Sequence, residues 1–552
     1  MKILLIYANS YFLESPVYPF GLDLIAGFLR DQGHEVKIDM PFLYHGDTAE
    51  GMAAVLEAFL PDIAGISIRN IDTAMACETF GTWRQYGINT RFFLPHAAET
   101  VAAIKTLAPE VPVVAGGAGF SVSPGAILTY IKADYGITGD GARAMERLVH
   151  CLEQGKEPET VENLLIRDKD GRIRENPTAG AIDLALHPIE REKRFDYTFT
   201  TGAMPVQSRY GCPMGCSYCV EPLITKQQEA ARKKEEVIQE LQMISRQYPG
   251  VSEIFFVDAE FNAPTPDFSL ALLKDIIKSG LHRRFTFSSQ FLPVNITGEY
   301  AGLLAETGFH VILTCDSFSD TVLKKNSCPY RESQIKKSLA LFQDHGVRCS
   351  LNLIFGLPGE TFETIDHTIA GLKEAAASPL FKLEYTAGAR VYNRTPLCRL
   401  VEKGNSENFL YGETSDGYIK PLFFSSPVSP LEINQYIEGQ LGRVIDFKPP
   451  ETKKQRRIAS IGIDAGQGLH EKSCEGFCST GMDVKEAIFD YLFRKYTESR
   501  DNSLAEKITR NFLSAIEEGD MDGLYAHRRP MLSYFLSLLA PERGRSGVTD
   551  TR

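Results

Sequence analysis

The stretch Met204-Pro205-Val206-Gln207-Ser208-Arg209-Tyr210-Gly211-Cys212-Pro213-Met214-Gly215-Cys216-Ser217-Tyr218-Cys219 decides how the rest of the chain is read. It starts as an apolar strand, turns at Gly211, and then sets three cysteines in a C-x3-C-x2-C spacing. Three thiolates on one short loop can each take a different iron of a four-iron cluster, leaving the fourth iron without a protein ligand. An open iron can bind a substrate, which a fully ligated electron-transfer cluster does not do. Gly211 and Gly215 let such a loop curl tightly. The competing reading is a structural zinc loop. It needs a fourth Cys or His at matching spacing, and the next close cysteine pair, Cys474 and Cys478, lies far downstream.

Composition narrows the setting. The 552 residues, 43% hydrophobic and 24% charged, describe an ordinary globular chain and exclude disorder throughout. At roughly 150 residues per domain, three to four domains are expected. Lys and Arg number 59 against 71 Asp and Glu, a net charge of −12, so there is no electrostatic footprint for duplex nucleic acid. Apolar runs such as 3–6 and 534–540 fall short of the ~18 residues of a membrane span, and the first residues read as a buried strand, not a signal peptide. The cysteine count, 11, is odd. Without an export signal, this favours thiols kept reduced in the cytoplasm for metal binding over a disulfide framework.

Working outward, strand and helix signals alternate on both sides of the cysteines, which places the chain in the α/β class. Strands are expected at 2–8, 35–40, 63–69, 111–115 and 134–137, with helical periodicity at 22–32, 52–59 and 99–107. Gly-rich turns follow the last two strands, at Gly116-Gly117-Ala118-Gly119 and Gly139-Asp140-Gly141. Together with Arg69-Asn70 they fall on the carboxyl edge of a parallel sheet, where ligands bind. None is a clean G-x-G-x-x-G, so a nicotinamide site is not supported. Residues 1–154 form this Rossmann-like domain, and 155–200 read as a linker containing a hairpin near 168–171. In 201–400, strands at 204–210, 253–258, 284–289, 310–314, 348–354 and 382–386 alternate with helical patterns at 233–247, 268–279, 332–345 and 362–376. They make a partial (β/α)6 barrel with functional residues on the loops after the strands. Residues 401–552 form a mixed, mainly helical C-terminal region that closes the barrel. No internal repeat is present.

The cysteine loop, with aromatic Tyr218 before its last thiol, resembles the signature of radical S-adenosylmethionine enzymes. Phe256-Val257-Asp258 with Phe261-Asn262, the run Gly356-Leu357-Pro358-Gly359-Glu360-Thr361, and Arg390-Val391-Tyr392 with Thr395-Pro396-Leu397 resemble later segments of that family, in order, over roughly 204–400. The resemblance implies that Cys212, Cys216 and Cys219 hold a 4Fe–4S cluster whose open iron chelates S-adenosylmethionine and cleaves it to methionine and a 5′-deoxyadenosyl radical. Tyr218, Asp258, Ser289, Gln290, Asp316, Gly356 and Arg390 are the expected cofactor-binding residues around it. Gly356 and Gly359 would admit close backbone approach to the cofactor, and Asp316 would accept hydrogen bonds from its ribose or amino group. For the polar strand-end residues, capping of the following turn is the competing role. The family's Gly-Gly-Glu segment is absent, and Asp258-Ala259-Glu260 stands near its place.

A Rossmann-like domain ahead of such a barrel resembles the cobalamin-binding domain of the cobalamin-dependent branch. The segment Pro19-Phe20-Gly21-Leu22 and both Gly turns fit. The resemblance implies that Arg69, Asn70, Gly116, Gly117, Gly139, Asp140 and Gly141 contact the corrinoid. The Asp-x-His-x-x-Gly motif that supplies an axial His to cobalt is absent. Arg69 is placed under the corrin: a guanidinium has no lone pair to offer cobalt, and a cation there disfavours an added axial ligand. This feature resembles the tryptophan 2-C-methyltransferases of the group. The alternatives are that Arg69 pairs with Asp72, or that the domain has lost its cofactor and only covers the barrel.

The expectation is an enzyme with a 4Fe–4S cluster, S-adenosylmethionine and cobalamin as cofactors. It would move a methyl group by way of cobalamin to a carbon or phosphorus centre of a small molecule or peptide, with flavodoxin or ferredoxin as reductant, in the cytoplasm, without nucleic acid. A cyclase or rearrangement enzyme with the same cofactors, and a non-catalytic iron–sulfur module, are the rival readings. Cys315 is the first candidate for a substrate-facing thiol, with Cys328 near the same mouth. Tyr385, Tyr392, Phe423 and Phe424 are candidates for pocket walls or core. The basic run 453–457 reads as solvated surface.

Overall fold

The structure is a computed structural model that describes residues 1–8, 18–39, 48–77, 83–178, 191, 203–404 and 409–441. Cys474, Cys478, the basic run 453–457, and the helices read near 484–496 and 504–517 lie outside the described residues. Among those described, no helix is long and apolar enough to cross a membrane.

In the N-terminal half, Lys2–Tyr7, Glu35–Asp39, Ile63–Ser67, Val113–Gly116 and Tyr135–Ile137 form a parallel sheet in the spatial order second, first, third, fourth, fifth. These are the five expected strands. Ile3, Leu4, Leu5 and Ile6 are all buried, as a strand covered on both faces requires. Helices Phe20–Asp31 and Ala142–Glu153 pack on one face, Thr48–Phe59 and Leu94–Leu107 on the other. The order reverses between Lys2–Tyr7 and Ile63–Ser67, which opens a crevice at the carboxyl ends there. The expected linker needs correction. Leu164–Arg167 and Ile173–Glu175 extend this sheet antiparallel, joined by the anticipated hairpin, in which Asp168 accepts a bond from the Arg172 amide at 2.7 Å. The polar turn was legible, but the short strands flanking it carry too few apolar residues to stand out.

The second sheet runs Met204–Val206, Glu253–Phe256, Thr286–Phe291, His310–Asp316, Arg348–Phe355 and Phe381–Ala387, all parallel and in sequence order, as an open six-stranded barrel wall. Alternation along each strand separates two environments. Ile254, Phe256, Phe287, Phe291, Val311 and Leu313 face the covering helices and are buried. Phe256, Phe261, Phe287, Phe291 and Phe309 pack there, with ring centroids 5.0 to 6.3 Å apart. The opposite face carries Ser288, Gln290, Thr314, Asn352 and Glu384, paired across the strands, and is partly open. A wholly buried trio anchors the first strand to helix Lys234–Gln247. Glu240 accepts from Arg191 and from Arg232, each at 2.6 Å, while the same guanidinium groups donate to the carbonyls of Pro205 and Gln207.

The C-terminal residues that are described, 409–441, complete a small antiparallel sheet of Ala389–Arg390, Leu422–Phe424 and Leu410–Gly412, and add helix Pro430–Leu441. Arg390 joins the two halves. Its Nε donates to Asp72 Oδ2 at 2.7 Å, and its remaining N–H groups donate to the carbonyls of Val391, Leu422, Tyr418 and Ile419. Both partners are almost wholly buried, and Tyr392 lies against the guanidinium at 5.0 Å. Removing one member of a buried pair strands the other's charge in a dry site. Arg390→Met is therefore expected to destabilise the chain by about 3–5 kcal/mol. Chemical denaturation checks this, and Arg390→Met combined with Asp72→Ala should lose less than the sum of the single variants.

Candidate functional site

The cysteine loop hangs between two braces. At its base, Arg209–Tyr210 pairs antiparallel with Ala230–Ala231, and Gly211 sits at φ +82°, where a Cβ would stand 2.0 Å from the Gln228 carbonyl oxygen. No other residue fits there. Asp258 supports this base from beneath: it accepts from the amides of Ser208 and Arg209 at 2.8 and 2.9 Å and from the Ser208 hydroxyl. At the far side, Ser217 donates through its amide to the Asn326 carbonyl at 2.9 Å and through its hydroxyl to Asn326 Oδ1 at 2.7 Å. Cys212, Cys216 and Cys219 are all partly exposed between these braces.

Burial pushes the Cys212 thiol up to about 12 and raises Cys219 as well, so both release protons when they become metal ligands. The Glu221 amide already donates to Cys219 Sγ at 3.4 Å, a bond that supports the thiolate. Among the described residues no three His, Cys, Asp or Glu side chains converge on a point that could hold one metal ion. The C-x3-C-x2-C spacing offers one thiolate to each of three corners of a four-iron cluster, and the loop suits that group by its ligand type and number.

Glu260 was not among the expected site residues, although Asp258-Ala259-Glu260 marked its position. Its Oε1 accepts from the Thr314 hydroxyl at 3.2 Å, while Oε2 is buried without a partner. Burial raises this carboxyl well above its usual range, and the nearby Asp316 and Cys216 add to the effect. A buried carboxyl oxygen with a free lone pair beside three thiols suits an ammonium or N–H donor, and the amino group of S-adenosylmethionine is one. Gln290 stands exposed on the open face of the barrel wall, and Asn352 on that face has an unpartnered Oδ1.

Several expected cofactor contacts instead turn inward. The Ser289 hydroxyl donates to the Phe256 carbonyl at 2.9 Å and is buried. Asp258 braces the loop base, and Arg390 is consumed by Asp72 and four carbonyls. Asp316 is buried and accepts from Tyr218 at 2.6 Å, from Tyr330 and from Cys328. Gly356, at φ +88°, gives room to Gly388 and Ser425. Cys315 packs in the core with no exposure, contrary to a substrate-facing role, because alternation along the strand sets it on the same face as Val311 and Leu313. Phe423 and Phe424 are buried, and Tyr385 meets Phe355 edge to face at 5.8 Å.

On the N-terminal side a cleft of about 280 Å³ opens at the reversal of strand order. Gly116, Gly117, Gly139, Asp140 and Gly141 line it together with Gly65. Gly117, at φ +102°, has the Ile68 carbonyl oxygen 2.5 Å from where a Cβ would lie, which keeps this floor bare. The opposite wall is Gln207, Tyr210 and Ile224, from the barrel strand and loop that carry the cysteines. Burial, then Asp140 and Glu221, hold the Tyr210 phenol protonated, as a donor into the cleft. A wide, apolar, glycine-floored cleft with few polar groups fits a large planar cofactor such as a corrinoid. Arg69 and Asn70 are exposed just past the strand whose end lines it. Among the described residues Arg69 makes no ion pair, and Asp72, its proposed partner, belongs to Arg390.

Glu360 holds the Gly356 turn. It accepts from the Gly356 amide at 2.5 Å, and burial pushes its carboxyl up to about 8. A folded-state value above the unfolded one means that the native state binds the extra proton. This contribution to stability is full below the usual carboxylate range and is lost as pH rises towards about 8. Stability should fall across that window by about 1.4 kcal/mol per pH unit from this group, and Glu360→Gln should flatten the profile. Denaturation at stepped pH checks it.

Two family models match the chain: the B12 binding domain over residues 13–149 and the radical SAM superfamily over residues 206–371. A tryptophan 2-C-methyltransferase from Streptomyces laurentii is 23% identical over 440 residues, covering 67% of this chain and 70% of that protein. A tRNA-2-methylthio-N(6)-dimethylallyladenosine synthase from Geobacter sulfurreducens is 30% identical over 215 residues, and the chain spans about half of its length. The fold is shared with the radical S-adenosylmethionine methyltransferase TsrM from Kitasatospora setae, solved with cobalamin and a 4Fe-4S cluster bound. That match has a TM-score of 0.67 and 21% identity and covers 81% of this chain and 89% of that one. It is also shared with the cobalamin-dependent radical enzyme OxsB, at a TM-score of 0.63 and 14% identity, over 98% of this chain and 80% of that one. The chain thus combines a B12 binding domain with a radical SAM domain, a pairing whose cofactors are a 4Fe–4S cluster, S-adenosylmethionine and cobalamin.

Proposed function

We propose that this enzyme methylates a carbon centre of a small molecule, with S-adenosylmethionine as the methyl source and the corrinoid in the interdomain cleft as carrier. One observation carries the reading: a single cleft has the Gly116, Gly117 and Gly139 turns on one wall and Gln207 and Tyr210, which lead into the cysteine loop, on the other. When bound, the corrinoid supplies a transferable methyl group, and the cluster with S-adenosylmethionine supplies a one-electron route to a carbon radical. The residues of the chain do the placing. Cys212, Cys216 and Cys219 hold the cluster at the mouth of the barrel. Glu260 Oε2 accepts from the amino group of S-adenosylmethionine, and Gln290 and Asn352 offer polar contacts on the open barrel face. Arg69 would present a cation to the corrinoid, and a guanidinium has no lone pair to offer cobalt. The likeness to a tryptophan 2-C-methyltransferase supports methyl transfer and makes tryptophan the first substrate to try.

Anaerobic reconstitution of the full chain with iron, sulfide and hydroxocobalamin should give four irons and one corrinoid per chain. Cys212→Ala, Cys216→Ala or Cys219→Ala should lose the iron and keep the corrinoid. With methyl-labelled S-adenosylmethionine and a reductant, label should appear in the product of a substrate panel that starts with tryptophan. Cleavage of S-adenosylmethionine with an unlabelled, rearranged product would assign a ring-forming or rearrangement enzyme instead. Iron without corrinoid would end the methyl-transfer reading. Arg69→His adds a nitrogen with a lone pair, so the visible spectrum of the bound corrinoid should shift. An unchanged spectrum would remove Arg69 from the corrin face.

A further inference from the structure

Two short segments grip the far side of the cysteine loop, and both carry cations to the surface. Helix Asp320–Lys325 runs into Asn326, which accepts from the Ser217 amide at 2.9 Å and from the Ser217 hydroxyl at 2.7 Å. Helix Pro396–Glu402 holds the same residue from another side, because the Leu397 amide donates to the Ser217 carbonyl at 2.9 Å. Ser217 directly follows Cys216, so each segment is one hydrogen bond and one peptide unit away from a cysteine of the loop. The two helices meet in one apolar cluster, Val322 and Leu357 with Leu397 and Cys398, and Tyr218 packs against it.

Lys324, Lys325, Arg394, Arg399 and Lys403 are exposed on these segments. Among the described residues none of the five forms an ion pair. The Lys325 stem lies along Gly359, with its Cγ 3.1 Å from where a Cβ would stand, and the ammonium group extends beyond it. The acids nearby in sequence are engaged. Asp320 accepts from the Glu332 amide at 2.9 Å, and Glu402 accepts from the Cys398 thiol at 3.5 Å. Cations in the last turn of a helix complement its dipole, but Arg394 stands just before the N-cap Thr395, where the dipole disfavours one. Local helix chemistry therefore does not account for the whole face, which is positive on a chain of net charge −12. The face also leaves the interdomain cleft free: Gln207, Tyr210 and Ile224 line that cleft from the base of the loop, and Ser217 lies at its far side.

We infer that this face is the docking site of a small acidic one-electron carrier protein, which reduces the cluster through the Ser217 contacts. The inference rests on the reading that Cys212, Cys216 and Cys219 carry the cluster. In this step the carrier is oxidised by one electron and the cluster is reduced by one, and no bond forms or breaks. Electron transfer weakens steeply with distance, so a carrier has to reach the surface nearest the cluster. Encounters of this kind are small and transient, and complementary charge sets their rate more than their affinity. A long nucleic acid would meet the chain's overall negative charge along its length, whereas a compact carrier meets only the local face.

The test is reduction of the anaerobically reconstituted full chain by reduced flavodoxin at low salt, followed by rapid-freeze EPR of the cluster, with iron counted in each sample. Lys324→Glu with Lys325→Glu, and separately Arg399→Glu with Lys403→Glu, should each slow reduction by about tenfold and flatten its dependence on salt. Lys324→Arg with Lys325→Arg should keep the unaltered rate, as should Lys169→Glu with Arg172→Glu on the distant hairpin. Reduction by the methyl viologen radical cation, which needs no acidic docking partner, should not slow in any variant. An unaltered flavodoxin rate in both charge-reversed pairs would overturn the inference. Equal slowing with both reductants in both pairs would make these residues supports of the loop and overturn it as well. Binding of labelled tRNA that both pairs abolish, with flavodoxin reduction unchanged, would assign the face to nucleic acid instead. If the unaltered chain holds no four-iron cluster, the reading of the three loop cysteines fails, and the iron count shows this before any rate is compared.

Discussion

The buried bond between Asp72 and Arg390 is the constraint on which the chemistry of this chain depends. Each residue lies just past the carboxyl end of a strand, one in the N-terminal sheet and the other in the barrel wall. Tying these two points together turns the functional edges of both sheets toward each other. A glycine-floored crevice alone would hold a cofactor facing solvent, and an open cysteine loop alone would expose its cluster to water. Opposed, they share one cleft, and distance between reacting groups becomes a property of the fold. The pair is expensive to desolvate, and its geometry repays that: one ion pair and four carbonyl bonds leave the guanidinium fully engaged.

A second constraint acts within the barrel. The cysteines have to remain reachable, yet their spacing must not drift. The fold meets both demands by fixing the residues between and beside the thiols. Gly211 and Asp258 set the base, Ser217 is pinned on Asn326, and Tyr218 is anchored on Asp316. Polar strand-end groups that might have faced a ligand are spent on this rigidity. Glu260 and Asn352 each keep an unpartnered oxygen, and Gln290 stays exposed.

Much of this was legible in the sequence. The strands of both sheets are short apolar runs bounded by turn residues, and a parallel sheet covered on both sides demands them, so pattern and fold agree. The cysteine spacing and the glycine turns are equally local and equally readable. The roles of Asp258, Ser289, Asp316 and Arg390 were not. A polar residue at the end of a strand can point to a ligand or into the protein, and its partner decides which. Those partners are remote: Tyr218 is 98 positions from Asp316, and Asp72 is 318 positions from Arg390. Arg69 was separated from Asp72 for the same reason, since a residue from the other half of the chain had taken the carboxylate. Glu260 stood in a quoted segment, but only the structure shows that one of its oxygens is left without a partner.

The Arg191–Glu240–Arg232 trio has a bearing on where this protein can be divided. Arg191 precedes the barrel in sequence, yet one of its N–H groups reaches both Glu240 and the carbonyl of Pro205 in the first barrel strand. A barrel excised from residue 201 onward would retain Arg232 but lose this second cation and its grip on the strand that leads to the cysteines. The autonomous folding unit therefore starts upstream of the strand that begins the barrel. Arg191 is a working part of the second half, so any transfer of this barrel between proteins must carry that arginine with it.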